Sequence, residues 1–127
     1  MGKQVICTEK APSAIGPYSQ GVRVGQWIYV SGQIPIDPAT GEMVKGDIVE
    51  ETHRVLKNAK AIIEASGASM SDVVKVTIYV EDLKDFSVIN EIYGQYFTSN
   101  PPARSCVEVS GLPKGAGLEM EMVAYLG

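Results

Sequence analysis

The pattern of apolar and polar positions along this chain switches between a period of two and a helical period. Residues 4–8 read as a short opening strand, followed by a loop, "EKAPSAIGPYSQG", punctuated by Pro12, Gly16, Pro17 and Gly21. "VRVGQWIYVSGQIPI" predicts a hairpin, with Gly25-Gln26 between two runs rich in β-branched and aromatic residues, and "DPATGE" predicts a turn. Across 47–66, Ile48, Thr52, Val55, Leu56, Ala59, Ile62 and Ile63 recur at the spacing of an amphipathic helix, with Gly67 placed to cap its end. "VVKVTIYV" (73–80) is a near-continuous apolar run and predicts a strand buried on both faces. Phe86, Ile89, Tyr93 and Phe97 then line one side of a second helix, while Asn90 falls elsewhere on the wheel and Pro101 stops the helix. Residues 103–110 and "LEMEMVAYL" close the chain as two strands.

The resulting order, β-β-β-α-β-α-β-β, predicts an α+β fold: one domain over 1–127, a six-stranded mixed sheet, and both helices on one face. The opposite face then carries Arg23, Tyr29, Glu119 and Glu121 among apolar groups. That mixture does not suit an internal core, so self-association is expected to cover it.

Composition narrows the function classes. The chain has 127 residues, 45% apolar and 20% charged, with a net charge of −4. No basic run supplies the Lys/Arg stripe that an extended nucleic-acid groove needs. No segment has the length of a signal-peptide core or a membrane helix. Two cysteines, Cys7 and Cys106, lie far apart without metal-type spacing, as expected of reduced thiols in the cytoplasm. A single histidine, His53, excludes a His-rich metal site within one chain, and no cofactor is signalled.

Three arginines remain as candidate chemistry. Arg54 reads as a solvated helix charge, and Arg23 as a surface or interface group. Arg104, in "NPPARSCVEVS", shares a strand face with Cys106, Glu108 and Ser110. Its planar fork suits a carboxylate held by two parallel hydrogen bonds, but the same pattern also describes the wet side of a strand. Cys106 lacks a base, because His53 falls on the exposed side of its helix. Glu119 and Glu121 read as a surface pair, and a simple hairpin of the last two strands would set Glu119 beside Glu108 rather than Arg104. Tyr18, in "GPYSQG", is able either to cap a pocket or to pack. "SGQ" at 31–33 offers a glycine amide that a ligand could approach.

Taken together, "GPYSQG" (16–21), "SGQIP" (31–35), "PPARSCVEV" (101–109) and "LEMEM" (118–122) closely resemble the RidA/YjgF family of reactive-intermediate deaminases over essentially the whole chain. The resemblance implies a chorismate-mutase-like fold and a homotrimer with sites in clefts between subunits. It also implies hydrolysis of the enamine and imine forms of 2-aminoacrylate and 2-aminocrotonate, released by pyridoxal-phosphate-dependent dehydratases. On that resemblance Arg104 clamps the substrate carboxylate and Glu119 positions the attacking water. Gly32 and Cys106 offer backbone contacts, Ser31 lies nearby, Tyr18 closes the pocket, and Asn90 lines its rim. No metal is implied. A translation inhibitor or endoribonuclease, a non-catalytic 2-oxo-acid sensor, a chaperone-like holder and a chorismate mutase are the competing readings.

Overall fold

The computed structural model describes residues 2–127. Its strands are β1 (Gln4–Ile6), β2 (Gly21–Val24), β3 (Trp27–Gln33), β4 (Val73–Val80), β5 (Ala103–Glu108) and β6 (Leu118–Tyr125), with helices α1 (Ile48–Ala65) and α2 (Phe86–Tyr96). They form one six-stranded mixed sheet in the order β1-β2-β3-β6-β4-β5. Only β4 and β5 pair in parallel; every other neighbour is antiparallel. The final strand thus inserts between β3 and β4, so β5 and β6 are not a hairpin and Glu119 lies beside Tyr79, not Glu108.

α1 forms where its sequence predicts. Asp47 caps its start, Oδ1 accepting from the Val49 amide at 2.9 Å, and Gly67 leaves its end at φ +94°, a conformation that costs glycine little. Val55, Leu56, Ala59, Ile62 and Ile63 are fully buried against Ile28, Val76, Ile78, Leu118 and Met120 of the sheet. Each large side chain so buried contributes on the order of 2 kcal/mol of transfer free energy. Ile89, Ile92 and Tyr93 of α2 join the same cluster, so both helices cover one sheet face.

Several expectations need correction. β1 ends at Ile6 and β5 at Glu108, each two residues early. β4 is buried on one face only: Val76, Ile78 and Val80 are inaccessible, whereas Lys75, Thr77 and Tyr79 are half-exposed, because neither helix packs on their side. Arg23 lies on the helix-covered face rather than the open one. Its register partner is the buried Ile28, and its guanidinium donates to the carbonyls of Gly25 and Ser66 at 3.0 Å each. It thereby satisfies a carbonyl just past the end of α1. His53 is half-buried, not exposed, with Nδ1 2.8 Å from the Tyr96 hydroxyl of α2. Arg54 is held by Asn58 Oδ1 at 3.0 Å. Among the described residues, no helix is long and apolar enough to cross a membrane.

Candidate active site

The residues singled out from the sequence fall into two groups on opposite faces of the sheet. The first lies around a cavity of about 600 Å³ that Pro12, Tyr18, Ser31, Gly32, Lys114 and Glu119 help to line. Three pieces of backbone converge there. The loop before β2 is anchored by Gln20, whose side chain is buried. Its Oε1 accepts from the Thr8 amide at 2.7 Å, and its Nε2 donates to the carbonyls of Thr8, Ala11 and Pro12 at 3.0, 3.2 and 2.7 Å. β3 reaches the cavity through a bulge: its register with β6 shifts between Val30 and Gln33, at Ser31-Gly32. Ser31 is fixed by its backbone, its amide donating to Gln20 O at 2.9 Å and its hydroxyl to Ser19 O at 2.5 Å.

Glu119 enters from the start of β6. That start is pinned from both sides, since the Gly117 amide donates to the buried Glu51 carboxylate at 3.1 Å and the Gly117 carbonyl accepts from Glu81 N at 3.0 Å. Burial pushes the Glu119 carboxyl above its ordinary range, and the neighbouring Glu121 carboxylate pushes it further in the same direction. Glu121 in turn accepts a hydrogen bond from the Tyr79 hydroxyl at 3.3 Å. Tyr18 is 54% exposed at the cavity mouth.

The second group sits at the β5 edge. In the parallel register Arg104 pairs with Val76 and Cys106 with Ile78, so both point to the helix-covered face, as the strand alternation predicts. Arg104 Nη1 donates to Asn90 Oδ1 at 2.7 Å, and its guanidinium carbon lies 5.1 Å from the Phe86 ring centre and 4.9 Å from that of Tyr93. Asn90, expected on another side of the helix wheel from Phe86 and Tyr93, instead stands beside them and contacts the arginine directly. Phe86 and Tyr93 read from the sequence only as an apolar helix stripe; their role beside a cation has no local signal. The Tyr93 hydroxyl is buried without a hydrogen-bond partner, and burial pushes it up to about 12 against the opposing effect of Arg104. Burial also raises the Cys106 thiol, which Arg104 only partly offsets. The neutral thiol is thereby favoured, which does not suit a nucleophile.

One chain does not bring the two groups together. β4 separates β5 from β6, placing those strands about 10 Å apart across the sheet. Arg104 is level with Met122 through Val76, three residues along β6 from Glu119, and Glu119 points to the other face. Ser105 and Val107, on the open side of β5, share that face with Thr77, Tyr79, Glu119 and Glu121.

Comparison with known proteins identifies the family of the chain. The family model described as endoribonuclease L-PSP matches residues 8–126. A RutC family protein of Pyrococcus abyssi is 62% identical over 125 residues, covering 98% of each chain. The human 2-iminobutanoate/2-iminopropanoate deaminase is 50% identical over 125 residues, 98% of this chain and 91% of the human one. Among solved structures, Escherichia coli TdcF with bound serine superposes with a TM-score of 0.94 at 45% identity, covering 98% of this chain and 99% of TdcF. The chain belongs to the RidA/YjgF family.

Proposed function

We propose that the protein is a hydrolytic deaminase of 2-imino and enamine acids, working as a homotrimer whose sites each take Arg104 from one subunit and the Glu119 cavity from its neighbour. The observation that carries this reading is the division of the chemistry into two incomplete halves. A cation with free donors stands at a sheet edge, and a carboxyl of raised proton affinity stands in a cavity on the other face. Neither half is a site alone. The open face offers a means of joining them, because Tyr29, Val107 and Tyr125 leave it apolar and exposed in one chain. The human relative's name and the serine held by TdcF support an amino-acid-derived substrate of this size.

In this reading Arg104 takes the substrate carboxylate through its fork and fixes the imine carbon over Glu119. Glu119 accepts a proton as water adds to the carbon of the protonated imine, giving a neutral carbinolamine. It then returns that proton to nitrogen and takes up the hydroxyl proton as the C–N bond breaks and the C=O bond forms; the departing ammonia carries this last proton away as ammonium and leaves a 2-oxo acid. A carboxyl whose proton affinity is raised is a better acceptor for the water proton than an ordinary glutamate. Gly32 and Cys106 present backbone groups to the substrate, Ser31 shapes the turn, and Tyr18 covers the mouth. An enamine first gains a proton at its terminal carbon to become the protonated imine. Hydrolysis of such imines proceeds in water unaided, so orientation and one proton relay are sufficient.

The test is decay of the imine signal in a threonine dehydratase reaction, with the parent protein and with Arg104→Ala. Faster decay with the parent alone is expected. No acceleration by an intact parent assembly overturns the deaminase and leaves a 2-oxo-acid binding protein, measurable by titration with 2-oxobutanoate. The RNA-cleaving reading draws on the family description, but the net charge of −4 opposes it. His53 is also engaged with Tyr96. RNA cleavage that survives Arg104→Ala and rigorous nuclease removal would restore it.

A further inference from the structure

We infer that Phe86, Asn90 and Tyr93 form a neutral cradle that presets the Arg104 fork for an incoming carboxylate, which makes Asn90 a positioning residue rather than a substrate contact. The inference rests on the reading of Arg104 as the carboxylate-binding group. The three residues are spaced i, i+4 and i+7, so they form one stripe of α2 along the side facing β5. Two aromatic faces lie 5.1 and 4.9 Å from the guanidinium carbon, and one amide oxygen accepts from Nη1 at 2.7 Å.

Three consequences follow from the chemistry of these holders. First, Arg104 is exposed, and a free arginine samples many rotamers. The cradle removes that freedom on folding, so less is lost on binding. Second, a guanidinium has five N–H donors, and the Asn90 bond occupies one; Nη2 and Nε remain for a bidentate ligand. Third, every holder is uncharged. Aromatic faces and an amide oxygen fix a cation without cancelling it, so the full charge remains for the ligand. An aspartate at position 90 would fit the same space but compete with the substrate carboxylate. Tyr93 keeps its ring beside the cation even though its hydroxyl is buried and unpartnered.

The test compares the parent, Arg104→Ala, Asn90→Ala, Asn90→Asp and Phe86→Leu as full-length protein. Affinity for 2-oxobutanoate is read by calorimetry, and the order of Arg104 by the 15N and 1H signals of its guanidinium. Asn90 is exposed, so its variants are expected to fold. Asn90→Ala and Phe86→Leu are expected to average the guanidinium signals and weaken binding about tenfold, raising KM with kcat little changed. Asn90→Asp is expected to keep those signals ordered yet weaken binding further than Asn90→Ala, an outcome that loss of structure does not produce. Parent-like binding by both Asn90 variants, with Arg104→Ala inactive in binding, overturns the cradle but leaves the carboxylate reading standing. Tighter binding by Asn90→Asp than by Asn90→Ala overturns the need for neutral holders. Equal binding by the parent and Arg104→Ala overturns the carboxylate reading, and the cradle with it.

Discussion

Gly32 and the Glu119 carboxylate compete for one volume: a Cβ added at position 32 would overlap Glu119 Oε2 and stand 2.8 Å from its Cδ. Glycine is required here by proximity rather than by a left-handed backbone. The bulge in β3 brings the chain against β6, and only a residue without a side chain leaves room for the carboxylate.

Gly32→Ala is therefore expected to push the Glu119 side chain out of its place. Because the displaced atoms are the end of a flexible side chain, the fold should lose little stability, while kcat falls by at least about tenfold. Circular dichroism and a thermal melt would establish the retained fold. Imine decay then reads the activity, and parental kcat in the alanine variant would count against Glu119 as the proton-transfer group.

Glu119→Gln carries a pH signature in stability. The folded carboxyl has its proton affinity raised above the ordinary glutamate value of 4.5. Well below that value the folded and unfolded chains both hold the proton, and parent and variant should match. As the pH rises past 4.5 the unfolded chain loses its proton first, so the parent loses stability relative to glutamine until the raised folded value is passed. Denaturant midpoints at several pH values, measured for both proteins, should diverge upward in favour of Glu119→Gln. A gap that shrinks with pH would contradict the burial and Glu121 effects.

Gln20 is only 3% exposed, and its amide binds Thr8, Ala11 and Pro12. Gln20→Ala leaves these backbone groups without partners in a partly buried loop. A loss of about 2–4 kcal/mol is expected from the urea midpoint, with an unchanged denaturant slope. Because Pro12 lines the Glu119 cavity, ligand affinity should fall as well.

What the sequence reveals follows the range of the forces involved. α1 is legible because a 3.6-residue apolar period, Asp47 and Gly67 all act within a few turns. The two faces of β5 are legible because alternation is local, so Arg104 and Cys106 fall together as read. The insertion of β6 between β3 and β4 is not legible, since strand order depends on contacts between distant segments. The side on which Arg23 lies is hidden for a related reason: Val22 and Val24 look like the core face, yet Ile28, opposite Arg23, is the buried partner. Phe86 and Tyr93 show the period of any core helix, and only the parallel register of β5 sets a cation beside them. Gln20 lies in a loop whose composition gives no sign that its amide is buried.

The division of the site gives the sharpest prediction for the assembly. Arg104→Ala and Glu119→Gln should each be inactive alone, since each removes one half of every site. If the two halves come from neighbouring subunits, unfolding and refolding an equal mixture creates interfaces in which one subunit supplies Arg104 and the next supplies Glu119. Random assembly gives such a pairing at about a quarter of the interfaces, so roughly that share of parental activity should return. Mixing without refolding should restore activity only as fast as subunits exchange between assemblies. If both residues served a site within one chain, no mixture would regain activity, and the intersubunit arrangement would be abandoned even if the deaminase reading survived.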